Sequence, residues 1–391
     1  MAEARLTEKD LHNWRLIDTF QEAVEEVFDG AELHQTFENP NRMLGYRPYL
    51  SLFLFGLVNP VIESMRGLCA VSKLKRAQEE VCGRNVSLGA FSEAQAVLDP
   101  ELLRKVFHKL VDKTKAGQKP DPRLAHLELI AQDGSLWRAL PRMAWAEYGV
   151  GPDGEAKGVR LHLRFHIVEG KPVDGLITKG SFCERKALRQ MCQAGQTSVG
   201  DRYYGEDYQL FRQIDGAKGF FVFRIKDTAV IHSEEELALT QEDQAAGVVR
   251  HAWVRLGATE KTRSIRLRLV EIRAGDKHLL LVTNLAVDKV PADLVGTIYR
   301  RRWDIELFFR WIKCILKCRR LFAESPRGVA IQIYLALIAA LLLQDCTGRR
   351  PSKRVMELLQ FYFMGWAQLE EVIRLIQGHL APKKTQNFLT A

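Results

Sequence analysis

The chain has 391 residues, 47% of them hydrophobic and 27% charged, an ordinary globular composition with length enough for two or three domains. Lys and Arg outnumber Asp and Glu by 57 to 48, a net charge of +9 that by itself does no more than make polyanions tolerable partners. Seven scattered cysteines exclude a paired disulfide framework and read as a reduced, cytoplasmic protein.

The opening Met1-Ala-Glu-Ala-Arg-Leu-Thr-Glu-Lys-Asp10 has no apolar signal-peptide core, and the longest apolar run, Tyr334–Leu343, is too short to span a bilayer. That run reads as a buried core helix, and no membrane partner is expected.

In chain order, residues 1–118 read as a helical domain, with stretches such as Leu16–Val27, Pro48–Val58, Leu74–Val81 and Glu101–Val111. The polar, basic, twice-proline segment Lys113–Arg123 has the composition of a linker. From 119 to 216 the period changes. Leu127–Gln132 is an apolar strand running into the turn-like Asp133-Gly134-Ser135, and Val159–Val168 with Val173–Lys179 forms a hairpin. Glu184–Ala194 is helical, and Thr197–Gly200 is a strand leading into Asp201. Residues 217–287 are β-rich, with Phe220–Lys226, Val248–Leu256, Ser264–Arg273 and His278–Leu285 as strands. In the third of these, Ile265, Leu267 and Leu269 alternate with Arg266 and Arg268, which predicts one apolar and one cationic face. Residues 288–346 hold a long helix opened by Pro291 and running to about Lys317, then the apolar helix Val329–Gln344; 347–391 is a helical tail. The order of strands and helices predicts an α/β fold.

The helix around Glu306 concentrates the charge. From Tyr299 to Arg320, Arg300, Arg301, Arg302, Arg310, Lys313, Lys317, Arg319 and Arg320 face only Asp304 and Glu306, so two thirds of the net charge lies in one stretch, the footprint of a phosphate-binding surface. At about 100° per residue, Tyr299, Arg302, Glu306, Arg310, Lys313 and Lys317 fall within about 80° of one another. Ile305, Phe308, Phe309, Ile312, Ile315 and Leu316 form an adjoining apolar face. A solvated face of an amphipathic helix has the same pattern.

Asp133 and Asp201 each stand at the C-terminal end of a predicted strand, where open sheets place their sites. Together with Glu306 they could supply the several carboxylates that phosphoryl transfer by two Mg²⁺ ions requires. Either aspartate alone reads equally as a turn or capping residue.

Tyr299, Arg302, Glu306 and Lys313 have the spacing Tyr-x2-Arg-x3-Glu-x6-Lys. This spacing, with Ile298–Lys313 around it, Ile130-Ala-Gln-Asp-Gly-Ser-Leu136 and Gly200-Asp-Arg-Tyr-Tyr204, resembles the Tn-five-like DDE transposases of insertion sequence family four, over roughly residues 120–345. The resemblance implies a bacterial enzyme with an RNase H-like core interrupted by a β-rich insertion, for which the interval between Asp201 and Glu306 has room. It implies Asp133, Asp201 and Glu306 as catalytic, metal-holding residues for two Mg²⁺ ions, with Mn²⁺ able to substitute. It also implies strand nicking, attack by the freed 3′-OH, excision through a DNA hairpin, and double-stranded DNA partners, namely the terminal inverted repeats and the target, bound by a homodimer. Tyr299, Arg302 and Lys313 would hold phosphates, joined by Arg300, Arg301, Arg310 and Lys317. Trp303 is a candidate for stacking on a displaced base, against a role as a core-edge aromatic, and Trp253 is a weaker candidate for the same role.

Leu74–Leu98, with Lys73, Lys75, Arg76 and Arg84, is compatible with a helix-turn-helix in an N-terminal DNA-binding domain. Cys314 and Cys318 have half of a zinc spacing without a second pair, and read as packing residues. His162 and His166 share a strand face and read as structural. Two other readings compete: an RNase H-fold nuclease or resolvase without strand transfer, and a DNA-binding protein derived from a transposase that no longer catalyses.

Overall fold

The computed structural model describes residues 15–32, 44–59, 61–114, 122–140, 142–151, 154–263, 265–274, 277–363 and 366–380. In chain order the first helices are α1 (Arg15–Phe28), α2 (Tyr46–Val58), α3 (Met65–Val71), α4 (Lys75–Ala77, continued as a π-turn over Gln78–Cys82), α5 (Leu88–Val97) and α6 (Pro100–Lys113). Then come β1 (Glu128–Arg138), β2 (Glu147–Gly151), β3 (Gly154–His166), β4 (Lys171–Lys179), α7 (Glu184–Met191), β5 (Gln196–Gly200), α8 (Arg202–Gly205) and α9 (Tyr208–Gly216). They are followed by β6 (Phe220–Arg224), β7 (Ile231–Glu236), α10 (Gln241–Ala245), β8 (Val248–Leu256), β9 (Leu267–Ala274) and β10 (Lys277–Thr283). Last are α11 (Ala292–Arg301), α12 (Trp303–Cys314), α13 (Pro326–Thr347), α14 (Lys353–Phe363) and α15 (Leu369–Leu380).

The chain divides into two compact units, Met1–Gly117 with Arg310–Ala391, and Gln118–Phe309. The first is helical. Its axis is α13, which starts at Pro326 behind the N-cap Ser325 and ends at Gly348 in the left-handed conformation (φ 72°). The helix therefore has 22 residues, longer than the apolar run read from the sequence. By length and composition it could cross a membrane, but 83% of its most apolar window is buried inside the protein. It packs against α1, α2, α5 and α6, which cover it on all sides as a core helix requires. Between α4 and α5, Gly83 turns the chain at φ 69°, with Lys73, Lys75, Arg76 and Arg84 exposed around the turn.

The second unit is built on a single sheet in the order β2-β3-β1-β5-β6-β10-β9-β8-β7, with β4 also pairing with β3. The strands β1, β5 and β6 are mutually parallel, and β3 is antiparallel to β1 and β4. Val159, Leu161, Leu163 and Phe165 of β3 are fully buried, while His162 and Arg164 of its other face are also buried, as expected of an inner strand covered on both sides. Phe220–Arg224 falls in the block read from the sequence as a separate β-rich insertion. In the structure it pairs with β5, and β10 then pairs antiparallel with it, so that block continues the central sheet.

Several expectations need correction. Asp133 does not end a strand: β1 runs on to Arg138, and Asp133 is paired with Leu163 of β3. Gly134-Ser135 has the composition of a turn, but the antiparallel ladder with β3 holds it extended. Strands β2 and β7 were not foreseen; β7 is Ile-His-Ser-Glu-Glu-Glu, whose charge hides its strand character, and it forms the sheet edge, where charge guards against further pairing. The cationic face expected around Arg266 and Arg268 is not a surface. Arg268 is fully buried, and Arg266 pairs with Glu234 and Glu235 of β7. Ser264 lies outside the described residues. The long helix from Pro291 is two helices, α11 and α12, broken at Arg302, and it stops at Cys314. Lys317 lies beyond it with φ 52°, so it does not share the helical face of Glu306.

Candidate active site

Two parallel neighbours carry the aspartates. In the β1–β5 ladder Ala131 is registered with Val199. Two residues further along stand Asp133, within β1 and on the same face as Ala131 because side chains alternate, and Asp201, the residue that follows β5 and caps the next helix. The ladder ends two residues short of both aspartates, and the carboxylates lie close enough for the charge of Asp201 to act on Asp133. Asp133 Oδ1 accepts from the Gly134 N–H at 2.8 Å. Asp201 caps α8, with Oδ1 accepting from the Tyr203 N–H at 2.9 Å. The approach of α8 to β6 is close enough that a Cβ on Gly205 would lie 1.9 Å from the carbonyl oxygen of Arg224, which restricts that position to glycine.

A further carboxylate, not singled out from the sequence, lies against Gly134, the neighbour of Asp133 on β1. Glu184, in the first turn of α7, forms an ion pair with Arg160 of β3 and lies near the buried Tyr204. Burial pushes its carboxyl up, with Asp201 adding to the rise and Arg160 opposing it. Burial likewise pushes Asp133 up to about 7, against the pull of the Gly134 N–H and of Arg302 and with the added repulsion of Glu184 and Asp201. The one signal that could have pointed to Glu184 is its place at a helix start, which capping explains equally well.

Glu306 reaches the site through an arginine. Phe308, two residues on from it along α12, meets Phe165 of β3 at a ring-centroid distance of 5.2 Å. Arg301 ties the end of α11 to the carbonyl of Ile167 at 3.0 Å. At the break between α11 and α12, Arg302 Nη2 donates to Glu306 Oε1 at 2.6 Å, and its guanidinium lies 5.9 Å from the Tyr299 ring centroid. Burial works against the charge of Arg302, but the hydrogen bond to Glu306 and the nearby Tyr299 and Asp133 outweigh it and raise its pKa. Arg302 thus links electrostatically to Asp133 while holding Glu306 directly.

The remaining cations divide. Arg300, Arg310 and Lys317 are exposed, while Arg301 is half-buried and engaged by Asp304 as well as by Ile167. Lys313 is half-buried, and burial lowers its pKa. Trp303 is 48% exposed, so it is not enclosed in a core. Trp253 is half-buried under Arg266, whose guanidinium lies 4.7 Å from its ring centroid. His162 bonds Thr178 at 3.0 Å and is pushed down to about 4 by burial and by Arg160 beside it, so it is neutral at pH 7. His166 contacts Glu128 at 3.2 Å. Cys314 is exposed and Cys318 buried.

Among the described residues, no three acidic, His or Cys side chains are close enough to hold a metal ion. The chemistry of the donors nonetheless fits a hard divalent cation. Asp133 and Asp201 are oxygen donors crowded by a further carboxylate, and a guanidinium occupies Glu306 as a stand-in positive charge.

One pH dependence follows. Folding raises the Asp133 pKa, so the unfolded chain releases this proton near pH ~4 while the folded chain keeps it to about 7. The stability it contributes is fully present below the first value and is lost as pH rises through the second. In metal-free buffer, the melting temperature of Asp133→Asn should lack this decline. Parallel melting curves for wild type and variant across the window would refute the assignment.

Residues 125–342 match the family described as Transposase DDE domain. The chain is similar to a probable transposase for insertion sequence element IS5377 of Geobacillus stearothermophilus, at 30% identity over 62% of this chain and 63% of that one. It is also similar to a putative transposase of Sinorhizobium fredii, at 29% identity over 54% of this chain and 58% of that one. A putative transposase for insertion sequence element IS4SA of Synechocystis is 22% identical over 67% of this chain and 72% of that one. The chain thus spans about three fifths of the length of the first two relatives. The family match covers more than half of the chain and includes Asp133, Asp201, Glu184 and Glu306, and the chain belongs to the DDE transposases, of the insertion sequence four family.

Proposed function

We propose that this chain is a DNA transposase that nicks the ends of an insertion sequence and joins the freed 3′-OH to a target, using Asp133, Asp201 and Glu306. The observation that supports this reading is the pairing of parallel β1 and β5 two residues before Asp133 and Asp201, with the charge of Asp201 acting on Asp133, in a chain of this family. The order β4-β3-β1-β5-β6, with β3 alone reversed among its neighbours, supports an RNase H-like core. On that reading β7–β10 are the β-rich insertion, attached through the edge of the same sheet.

Mg²⁺ or Mn²⁺ ions, held by Asp133 and Asp201 with Glu306, would polarise the scissile phosphate and lower the pKa of the attacking water or hydroxyl. Glu306 is hydrogen-bonded to Arg302, and release of that contact would free its carboxylate for a cation and the guanidinium for a phosphate oxygen. Guanidinium donors suit phosphate because two N–H groups can meet two oxygens at once. The exposed Arg300, Arg310 and Lys317 supply sequence-independent phosphate contacts, with Tyr299 and Lys313 beside them in sequence. Trp303 presents enough free surface to stack on a displaced base, which is the part of the reading that concerns a hairpin intermediate. A second copy of the chain is required if two ends are to be held at once.

The test is incubation of the full chain with duplexes carrying the inverted repeats that flank the gene, a target plasmid, and Mg²⁺ or Mn²⁺. The expected products are nicked ends followed by joined molecules. Cleavage that never proceeds to joining would favour a nuclease or resolvase, and end binding without any cleavage would favour a silent derivative.

A further inference from the structure

We infer that Arg185 of α7 is a positioning residue for Asp201, acting on it through Tyr203. The inference rests on the catalytic reading of Asp201 given above.

The Asp201 carboxylate takes its direction from the Tyr203 N–H, which donates to Oδ1 at 2.9 Å, so its orientation is only as firm as Tyr203. Tyr203 is 40% exposed, and packing alone does not hold it. Arg185 does. Its Nε donates to the Tyr203 carbonyl at 2.7 Å, and its Nη2 donates both to the same oxygen and, at 3.2 Å, to Glu206 Oε2. The guanidinium also lies 4.1 Å from the Tyr203 ring centroid, so one side chain grips this residue by backbone and ring together. The N–H and the carbonyl of Tyr203 belong to neighbouring peptide groups, and α8 is a single turn of four residues, too short to be stable by its own hydrogen bonds. What Arg185 fixes at the carbonyl is therefore felt at the N–H.

The clamp has a firm base. Ala187, Leu188 and Met191 bury the other side of α7, and Leu188 shares a core cluster with Tyr204, Phe211 and Phe223. A planar guanidinium on such a base meets its acceptors with little further loss of freedom. The pair with Glu206 is partly exposed and by itself adds little stability, so the weight of the contact lies in where it holds Tyr203. One turn on, Arg189 makes a comparable set of contacts, with Asp207 and Gln213. These grip α9 and its capping residue instead, which makes Arg189 the natural control.

The experiment compares the full chain as wild type, Arg185→Ala, Arg185→Lys, Arg189→Ala and Asp201→Asn. Single-turnover nicking of a duplex carrying an inverted repeat that flanks the gene is measured at saturating protein with Mg²⁺. End binding, melting temperature and hydrogen exchange of the Tyr203 amide without DNA are measured alongside. Arg185→Ala should slow nicking about thirtyfold, since a small displacement of a catalytic group costs up to about a hundredfold, while end binding stays near the wild-type value. Its Tyr203 amide should exchange about tenfold faster. Arg185→Lys, which can still donate to the Tyr203 carbonyl, should recover most of the rate. Arg189→Ala should lower the melting temperature as much as Arg185→Ala and leave nicking near the wild-type rate. Equal slowing in the two alanine variants would make Arg185 merely structural and overturn the inference. Slowing that vanishes at saturating protein, or an unchanged Tyr203 exchange rate, would do the same. A wild-type chain that does not nick, or Asp201→Asn that nicks as fast, would instead remove the catalytic reading of Asp201 and the inference with it.

Discussion

Asp201→Asn is expected to leave binding of the element ends nearly intact and to slow nicking by about a thousandfold or more. A metal ion that polarises a phosphoryl oxygen contributes several kcal/mol to transition-state stabilisation, and about 4 kcal/mol corresponds to a thousandfold in rate. The exchange keeps size and shape and removes only the charge that would hold the cation. It also spares the fold. The Asp201 carboxylate caps α8 through the Tyr203 N–H, and an asparagine oxygen caps a helix about as well. Asp133→Asn should behave alike, since an amide oxygen can still accept from the Gly134 N–H. The measurement is single-turnover nicking at saturating protein, with end binding followed separately. Binding and cleavage lost together would indicate a folding role, and nicking at the wild-type rate would end the carboxylate mechanism.

Arg268→Met should produce the largest loss of stability. Arg268 is fully buried, and its Nη1 donates to the carbonyls of Leu285 and Val290, both at 2.9 Å. Its Nε donates to His251 Nε2 at 3.2 Å, which requires a neutral imidazole; burial and the adjacent Arg268 supply one by pushing His251 down to about 4. Burial also brings Arg268 itself down to about 10, with Asp243 and Asp288 opposing the fall, so it is still charged at pH 7. Methionine fills much of the volume but satisfies neither carbonyl. Two orphaned buried acceptors and a broken charge network cost on the order of 3–5 kcal/mol, or roughly 6–20 °C in the melting temperature of a unit of this size.

The consequence reaches the site. Leu285 and Val290 lie in the segment leading into α11, whose Asp293 N–H is held by the buried Asp243 at 2.8 Å, and α11 ends at Arg301, next to the Arg302 that holds Glu306. Arg266→Met is the control. Arg266 is two residues away and partly exposed, and its pairs with Glu234 and Glu235 are solvated, so it should cost no more than about 1 kcal/mol. Equal losses for the two variants would show that the buried network has no special weight.

What the sequence determined by itself is local. The strand ending at Asp201 was legible because Thr197–Gly200 is a short run with a capping residue directly after it, and β5 followed by α8 is what formed. The hairpin of β3 and β4 was legible from its turn, where Gly170 has φ 70°. The spacing of Tyr299, Arg302, Glu306 and Lys313 is also a property of the chain alone, and it points to the family without reference to the fold.

Tertiary structure decided what depends on partners distant in sequence. Gly134-Ser135 reads as a turn in isolation, but pairing with His162 and Leu161 of β3 keeps it in the strand. The helical period ran unbroken through Arg302, yet the Arg302 N–H turns back to Tyr299 at 3.0 Å and the helix restarts. Arg268 alternates with leucines as a surface residue would, and only the loop that folds over it makes it a buried donor. Glu184 carries no local mark beyond its place at a helix start. Its surroundings are assembled from Gly134, Arg160 and Tyr204, three residues separated along the chain that the sheet brings to one place, and charges interact through space whatever their separation in sequence.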